Sequence, residues 1–256
     1  MIHPSAVIEP TAQLGKNVTV GPFSYIGAGV VLGDDCIIES NVVIKGPSII
    51  GRGNHFFQFA SIGEACQDKK YKNEPTELIV GDFNIFREGC TVHRGTIQDE
   101  GRTVIGSHNL FMNYTHVAHD CVIGSNVIYA NNASTAGHVH VGDWVILGGM
   151  SGVHQFCHLG AHSFIGGGAI VLKDVPPFVM ANGNPATPVG INTEGLKRRG
   201  FTAETLLEIR RAYKEIYRKG NTVSEAVAAL AAQSEANVEI RRLTQFIEHS
   251  KRGIIR

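Results

Sequence analysis

A group of polar residues in the middle of this 256-residue chain could carry out acyl transfer to a hydroxyl group. Its members are His116, His119, Asp120, Gly137, His138, His154 and Gln155. A neutral imidazole can take the proton of an attacking hydroxyl, which makes His119 the candidate general base. A residue without a side chain lets its backbone N–H approach a developing oxyanion, so Gly137 is the candidate donor. No nucleophilic serine or cysteine is required, because the hydroxyl can attack directly.

A six-residue repeat positions this group. Aliphatic or similar side chains recur at every sixth position, as at Ile2, Ile8, Leu14, Val20 and Ile26. Each hexad reads as a short strand and a turn, and three hexads close a coil of about 18 residues. With strands roughly 4.8 Å apart, about nine coils form a prism on the order of 45 Å long. The repeat predicts a mainly β fold, a parallel β-helix, with His119, Gly137 and Gln155 on adjacent coils.

The role of Asp120 stays open at this level. It directly follows His119, and consecutive side chains of an extended strand point to opposite faces. Asp120 would orient a histidine only where the backbone departs from that alternation.

The cysteines predict packing in the core, with neither a disulfide nor a metal site. Each lies four residues after a repeat position, in a slot that otherwise holds small side chains, and no CxxC pair occurs. The cysteines are Cys36, Cys66, Cys90, Cys121 and Cys157. Free thiols fit a reducing cytoplasm, where we expect the protein to be located. No leader peptide opens the chain and no apolar run could span a membrane, so membrane insertion is not expected.

Two polar segments interrupt the repeat, at about residues 63–79 and 93–104. Long loops on a regular solenoid often carry function, and a tolerated surface insertion is the alternative. The repeat ends near Val175, and the apolar period then becomes helical. We therefore predict a β-helix over residues 1–189 and a helical domain over residues 190–256.

Three helices are predicted in the tail. Thr202 is the expected N-cap of the first, which stops at Gly220. Thr222 and Glu225 form a capping-box pattern for the second, and a third contains Leu243. The tail has 13 Lys and Arg against 8 Asp and Glu, whereas the rest has 10 against 15. A basic tail suggests an acidic partner or an anionic ligand, and no nucleic-acid motif is present.

Several stretches resemble the bacterial UDP-N-acetylglucosamine O-acyltransferases of lipid A biosynthesis, over essentially the whole chain. They are Gln58 to Glu64, Thr91 to Thr96, Ala118 to Cys121, Ala130 to Asn132, Gly137 to Val139, Val153 to Phe156 and Asn192 to Phe201. The resemblance implies a left-handed β-helix and a homotrimer with active sites between subunits. It also implies transfer of an (R)-3-hydroxyacyl chain from acyl carrier protein to the 3-hydroxyl of UDP-N-acetylglucosamine, without cofactor or metal.

The resemblance also implies residue roles. His119 would be the general base and the Gly137 N–H the oxyanion donor. The expected substrate contacts are Asp68, Lys70, His116, His138 and Gln155, with His154 near the glucosamine or the acyl group. The expected nucleotide contacts are Asn192, Glu194, Arg198 and Arg199, and arginine suits phosphate.

Acyl length is expected to depend on Gly167, which matches the position of a family residue at the far end of the acyl groove. A glycine there predicts a longer chain, of roughly myristoyl class. Pro185 departs from the family, which often has histidine in that segment, and puts one acyl-side or nucleotide-side contact in doubt.

The sequence alone leaves alternative functions open. The paralogous N-acyltransferase carries an extra N-terminal uridine-binding domain, whereas this repeat starts at Ile2. An acetyl-CoA transferase would not need the long tail. A zinc hydratase would bind metal through histidines of several subunits. A non-catalytic scaffold would not depend on His119. A 3-amine acceptor in place of the 3-hydroxyl is also open.

Overall fold

The computed structural model describes residues 1–256, and residues 1–191 form a prism with three sheets as its faces, whose strands are parallel except for the last one. The first face has the strands Val7–Ile8, Tyr25–Ile26, Val43–Ile44, Ser61–Glu64, Thr91–His93, His116–Val117, Ser134–Thr135, Gly152–Val153 and Ile170–Val171. The second face has Gln13–Leu14, Val30–Leu32, Ser48–Ile50, Glu77–Val80, Arg102–Ile105, Val122–Ile123, His140–Val141 and His158–Leu159. The third face has Thr19–Val20, Ile37–Ile38, His55–Phe56, Ile85–Phe86, Leu110–Phe111, Ile128–Tyr129, Ile146–Leu147, Phe164–Ile165, Val179–Asn182 and Thr187–Ile191.

The repeat positions face the interior, as predicted. In most strands the second residue is the aliphatic one and is buried, as with Ile26, Ile44 and Val117. Aromatic side chains replace it in a stacked row that runs Phe56, Phe86, Phe111 and Tyr129, with centroids 4.8 to 5.0 Å apart. All five cysteines are buried and unpaired, in agreement with the packing prediction. The fold is the predicted left-handed parallel β-helix with a C-terminal helical part.

The turns between faces define three edges. We call the edge between the first and second faces edge 1, that between the second and third faces edge 2, and that between the third and first faces edge 3. Many turns hold a residue with positive φ, such as Asp120, His138 and Trp144, which lets the chain turn sharply without glycine. Both interruptions of the repeat leave edge 1, where the strands Ser61–Glu64 and Thr91–His93 end.

The tail has four helices, one more than predicted. They are α1 (Thr193–Arg198), α2 (Ala203–Tyr217), α3 (Val223–Ala236) and α4 (Val238–His249). Thr202 caps α2 and the Thr222–Glu225 box caps α3, as predicted. The short α1 was not predicted, and its N-cap is Asn192. No helix combines the length and apolarity that crossing a membrane requires.

The boundary predicted at residue 189 falls inside the strand Thr187–Ile191, which pairs antiparallel with Val179–Asn182. The helices return to the prism through the C-terminus. Ser250 Oγ donates to Asp174 Oδ2 at 2.6 Å, and the Ile255 N–H donates to the Asp174 carbonyl at 2.9 Å. The division into two domains therefore stays a prediction.

Candidate active site

His119 and Asp120 form a hydrogen-bonded pair at edge 1. His119 Nδ1 lies 2.8 Å from Asp120 Oδ2, and the side chains are 15% and 1% exposed. Because an ionised carboxylate only accepts, Nδ1 carries a proton and Nε2 is the basic nitrogen. The expectation that neighbouring side chains point apart is wrong here. Asp120 has a φ of 58°, and this left-handed turn brings its carboxylate to the imidazole.

The second inserted loop fixes the Asp120 carboxylate. The Thr96 N–H donates to Oδ1 and the Thr96 hydroxyl donates to Oδ2, each at 2.7 Å. The Asp120 N–H in turn donates to Thr103 Oγ1 at 2.8 Å. Burial alone would raise the pKa of Asp120, but the hydrogen bonds from His119 and Thr96 outweigh it and lower the pKa below the usual value. The carboxylate is therefore ionised when His119 accepts a proton.

Gly137 packs against the His119 ring one coil further along. A Cβ at this position would lie 2.5 Å from His119 Cε1 and 2.7 Å from Nε2, so only glycine fits beside the ring. The Gly137 N–H donates to no acceptor in the chain. A free N–H next to the basic nitrogen of His119 can serve as an oxyanion donor.

His138 lies on the other side of this pair. Its ring meets His119 edge-on at 5.1 Å and stacks on Phe156 at 4.5 Å. Its Nδ1 lies 2.8 Å from Asp99 Oδ2, while its Nε2 is 3.8 Å from Asp120 Oδ2.

His119, Asp120 and His138 bring three potential metal-ligand atoms within 4.8 Å of one another. The Nδ1 atoms of both histidines are already paired with carboxylates, at 2.8 Å each. Asp120 is further occupied by Thr96. The Nδ1 atoms are therefore already bound to carboxylates, and only the Nε2 atoms of the two histidines remain without a hydrogen-bond partner in the chain.

A second pair of histidines flanks the site on the first face. His116 Nδ1 is 2.7 Å from Thr91 Oγ1, and its ring meets His93 edge-on at 5.1 Å. Burial, then the proximity of His116, lowers the pKa of His93 to about 4. Burial, then His119, also lowers the pKa of His116. Both rings are therefore neutral near pH 7 and can act as hydrogen-bonding groups.

An open groove of about 420 Å³ runs from His116 along the first face. It is lined by His116, Ser134, Thr135, Ala136, Gly152, Val153, His154, Ile170 and Leu172. His154 is exposed at its rim and donates from Nδ1 to the Gln155 carbonyl at 3.1 Å. Gln155 follows on edge 1 and is also exposed. The groove becomes more apolar as it leaves the histidines.

Asp68 and Lys70 lie on the first inserted loop. The Lys70 N–H donates to Asp68 Oδ1 at 2.9 Å, and neither side chain hydrogen-bonds to the histidines. The loop does reach the site through Gln67, whose Nε2 is 3.3 Å from His93 Nε2. The two inserted loops are tied together by Arg94, which donates to Tyr71 Oη at 3.4 Å.

The predicted nucleotide residues lie at edge 2, away from His119. Asn192 caps α1 and donates to the His162 carbonyl at 3.0 Å, while Glu194 pairs with Lys197. Arg199 lies 3.3 Å from His162 Nδ1 and 5.1 Å above Trp144. Arg198 is exposed and makes no hydrogen bond or ion pair within the chain.

Gly167 lies at edge 3, 48 residues beyond His119, which is between two and three coils. A Cβ there would meet only the Gly149 carbonyl, at 3.4 Å, so the space beside it is open. Pro185 lies between the last two strands of the third face. One copy of the chain therefore brings together His116, His119, Asp120, Gly137 and His138, but not the nucleotide residues or Gly167.

Three residues of the site were not predicted: His93, Thr96 and Asp99. Thr96 and Asp99 reach Asp120 and His138 from 24 and 39 residues away. Two features of the sequence pointed towards them: the interruption of the repeat after Val92 and, for His93 and Thr96, the stretch Thr91 to Thr96 that carries the resemblance. No periodic rule places Asp99, because it lies within an irregular loop.

The comparisons with known proteins agree along the whole chain. Residues 174–255 match the family described as UDP N-acetylglucosamine O-acyltransferase, domain 2. The acyl-[acyl-carrier-protein]–UDP-N-acetylglucosamine O-acyltransferase of Saccharophagus degradans is 53% identical over 255 residues, covering 100% of this chain and 99% of that protein. Among solved structures, LpxA of Acinetobacter baumannii is 48% identical with a TM-score of 0.97, over 100% of this chain and 99% of its own. The UDP-N-acetylglucosamine acyltransferase of Francisella novicida is 42% identical with a TM-score of 0.98, over 100% and 94%.

The prism of parallel coils with a C-terminal helical part defines the class of protein, because it matches solved UDP-N-acetylglucosamine acyltransferases over the full chain. Because the similarity extends over full length at 53% identity, the chain belongs to the acyl-[acyl-carrier-protein]–UDP-N-acetylglucosamine O-acyltransferase family.

Proposed function

We propose that this protein transfers an (R)-3-hydroxyacyl chain from acyl carrier protein to the 3-hydroxyl of UDP-N-acetylglucosamine, in the first step of lipid A biosynthesis. The named substrates of the Saccharophagus relative support the acyl donor and the acceptor. The mechanism depends on one observation above all, the His119–Asp120 pair packed against Gly137.

The transfer proceeds by direct attack. His119 Nε2 takes the proton of the acceptor hydroxyl as its oxygen attacks the thioester carbonyl carbon. The carbonyl oxygen becomes an oxyanion, which the Gly137 N–H stabilises. When the tetrahedral intermediate collapses, the carbon–sulfur bond breaks and the thiolate of the carrier leaves. It takes the proton from His119, which restores the neutral ring.

Asp120 holds His119 in the productive tautomer and stabilises the imidazolium that forms during attack. Thr96 supports this role, because its two hydrogen bonds leave the carboxylate one orientation. His138 and His116 would contact the sugar nucleotide or the acyl chain from either side of His119.

The groove on the first face suits the acyl chain. It starts at His116 beside the reacting centre and continues over Gly152 and Ile170. Gly167 borders the same face between two and three coils away, which corresponds to about 13 Å along the prism. An acyl chain crossing the face diagonally would end near Gly167, as the chain-length prediction requires.

The distribution of residues over three edges supports a homotrimer. The base lies at edge 1 and the nucleotide residues lie at edge 2, so edge 2 of one copy would have to meet edge 1 of another. Exposed Arg198 is then free to bind phosphate in a neighbour's site. The basic tail would attract the acidic carrier protein.

Acyl transfer by a His119→Ala variant tests the reaction and the base together. We expect the wild type to acylate UDP-N-acetylglucosamine from 3-hydroxymyristoyl carrier protein, and the variant to lose roughly 10²-fold or more. His3→Ala is the matched control, since His3 is an exposed histidine before the first strand, contacts Ser5 and lies several coils from His119. No product from folded wild type with any acyl length would refute the proposed reaction. Undiminished activity in the variant would refute the base.

A further inference from the structure

The second inserted loop reaches His138 through a residue that the reaction above does not use. Asp99 Oδ2 lies 2.8 Å from His138 Nδ1, across 39 residues of sequence. We propose that Asp99 is a positioning residue that fixes the Nδ1 proton and the ring orientation of His138, so that Nε2 faces the substrate. This role rests on the proposed function in one respect, because it takes the group that contacts Nε2 to be the substrate.

The other contacts of His138 leave the orientation of its ring about χ2 undetermined, and Asp99 can determine it. Phe156 stacks on one side of the ring at 4.5 Å, and His119 meets it edge-on at 5.1 Å. These contacts fix the ring plane, but they do not distinguish the two orientations related by a half-turn about χ2. A carboxylate only accepts, so its position selects the orientation in which Nδ1–H points to it.

The opposite nitrogen is left available. His138 Nε2 has no hydrogen-bond partner in the chain, and Asp120 Oδ2 at 3.8 Å is too far to be one. A ring held by a carboxylate through Nδ1 presents a defined Nε2 to a ligand, as a supporting carboxylate does for a ligand-binding histidine elsewhere.

Hydrogen bonds hold the second inserted loop in place, so that Asp99 can orient the His138 ring. Its Thr96 is bound twice to the buried Asp120. The N–H groups of Asp99 and Gly101 both donate to the Thr96 carbonyl, at 3.3 and 3.1 Å. Asp99 is therefore part of a turn anchored in the site, although its side chain is 40% exposed. The adjacent Glu100 is 69% exposed and pairs with Arg102, so it is the natural control.

The tautomer of His138 can be measured without substrate. Nitrogen-15 chemical shifts of labelled histidine, with the His138 signals assigned through a His138→Gln variant, distinguish Nδ1–H from Nε2–H. We expect Nδ1–H in the wild type and in Glu100→Gln, and a shift towards Nε2–H in Asp99→Ala. An unchanged spectrum in Asp99→Ala would overturn the proposal, whatever the activity of the enzyme.

Kinetics then separate positioning from folding. We expect Asp99→Ala to raise the KM for the sugar nucleotide about tenfold with a smaller change in kcat, because the lost contact is made by His138 in the ground state. Asp99→Asn should bring the KM for the sugar nucleotide most of the way back to the wild-type value, since its Oδ1 can also accept from Nδ1. In a variant that already carries His138→Gln, adding Asp99→Ala should not raise the KM for the sugar nucleotide further. Equal losses in both backgrounds would show that Asp99 acts elsewhere, whereas an inactive wild type would refute the reaction alone.

Discussion

The left-handed conformation of Asp120 determines what the central residues can do. Its φ of 58° brings a carboxylate and the preceding imidazole to one side of the chain. The same turn exposes the His119 ring to Gly137, where a Cβ would lie 2.5 Å from Cε1. The proposed base, orienting carboxylate and oxyanion donor are thus positioned by a single turn and its neighbour one coil away.

Gly137→Ala should inactivate the enzyme with little effect on the fold. The new Cβ must displace the His119 ring from its position beside the N–H of residue 137, and misplacement of the base should lower activity about 10²-fold. Gly149→Ala is the control, because a Cβ there would meet only the Asn131 carbonyl at 3.4 Å. Transfer assays and melting temperatures measure both effects. Full activity in Gly137→Ala would exclude the proposed geometry.

Gly167→Met should shorten the preferred acyl chain. Its side chain would enter open space at edge 3, beside the end of the groove on the first face. Assays with carriers of graded acyl length should show activity shift from 14-carbon-class donors to shorter ones, with total stability nearly unchanged. An unchanged length preference would remove Gly167 from the determinants of specificity.

At the scale of elements, the regular parts followed from the sequence and the irregular parts did not. The hexads predicted the strands, and Thr202 and Thr222 predicted two helix starts, because periodicity and capping are local rules. The α1 helix, with six residues, is too short to show a period. The contact of Asp99 with His138 could not be predicted, because it depends on the path of an irregular loop.

A buried histidine among aromatic side chains at edge 2 predicts that the free energy of unfolding depends on pH. His162 is 7% exposed and packs near Trp144, Phe178 and Phe201. Burial, then Arg199, lowers its pKa from 6.5 to about 4. Between these values the unfolded chain binds a proton that the folded protein does not, so stability is full above about pH 6.5 and falls as the pH drops towards 4.

When the pH falls from 7.5 to 4.5, the free energy of unfolding should decrease less in a His162→Phe variant than in the wild type. We expect a difference on the order of 1–3 kcal/mol. Denaturant unfolding at the two pH values measures this. His108→Phe is the matched control, because His108 has the same turn conformation at edge 2 but is exposed. Equal acid sensitivity in wild type and His162→Phe would show that other groups dominate.

At the scale of the whole molecule, the residues proposed to contact substrate are divided among three edges of one copy of the chain. His119 lies at edge 1, Arg198 and Arg199 follow the last strand at edge 2, and Gly167 lies at edge 3. An acyl chain can cross the first face from His119 to Gly167, but edges 1 and 2 of a rigid prism cannot meet. We therefore propose that a sugar nucleotide contacting both His119 and Arg198 lies between two copies.

Two inactive variants should therefore complement each other. When His119→Ala and Arg198→Ala are unfolded and refolded together, a random trimer would restore about a quarter of the sites, each with an intact base and an intact nucleotide residue from different copies. Mixing without subunit exchange should restore nothing, which is the control. Absence of activity in verified mixed trimers would place both residues in the same subunit's site.

Both interruptions of the repeat leave edge 1, and each returns the chain to the second face in register. The coils before and after them stack as though nothing had been inserted, since Leu78 pairs with Ser48 and Thr103 pairs with Leu78. Both inserted segments therefore lie beside the proposed reacting groups and leave the register of the second face unchanged. A lineage built on this prism can exchange those segments and acquire new acceptors while inheriting its stability unchanged.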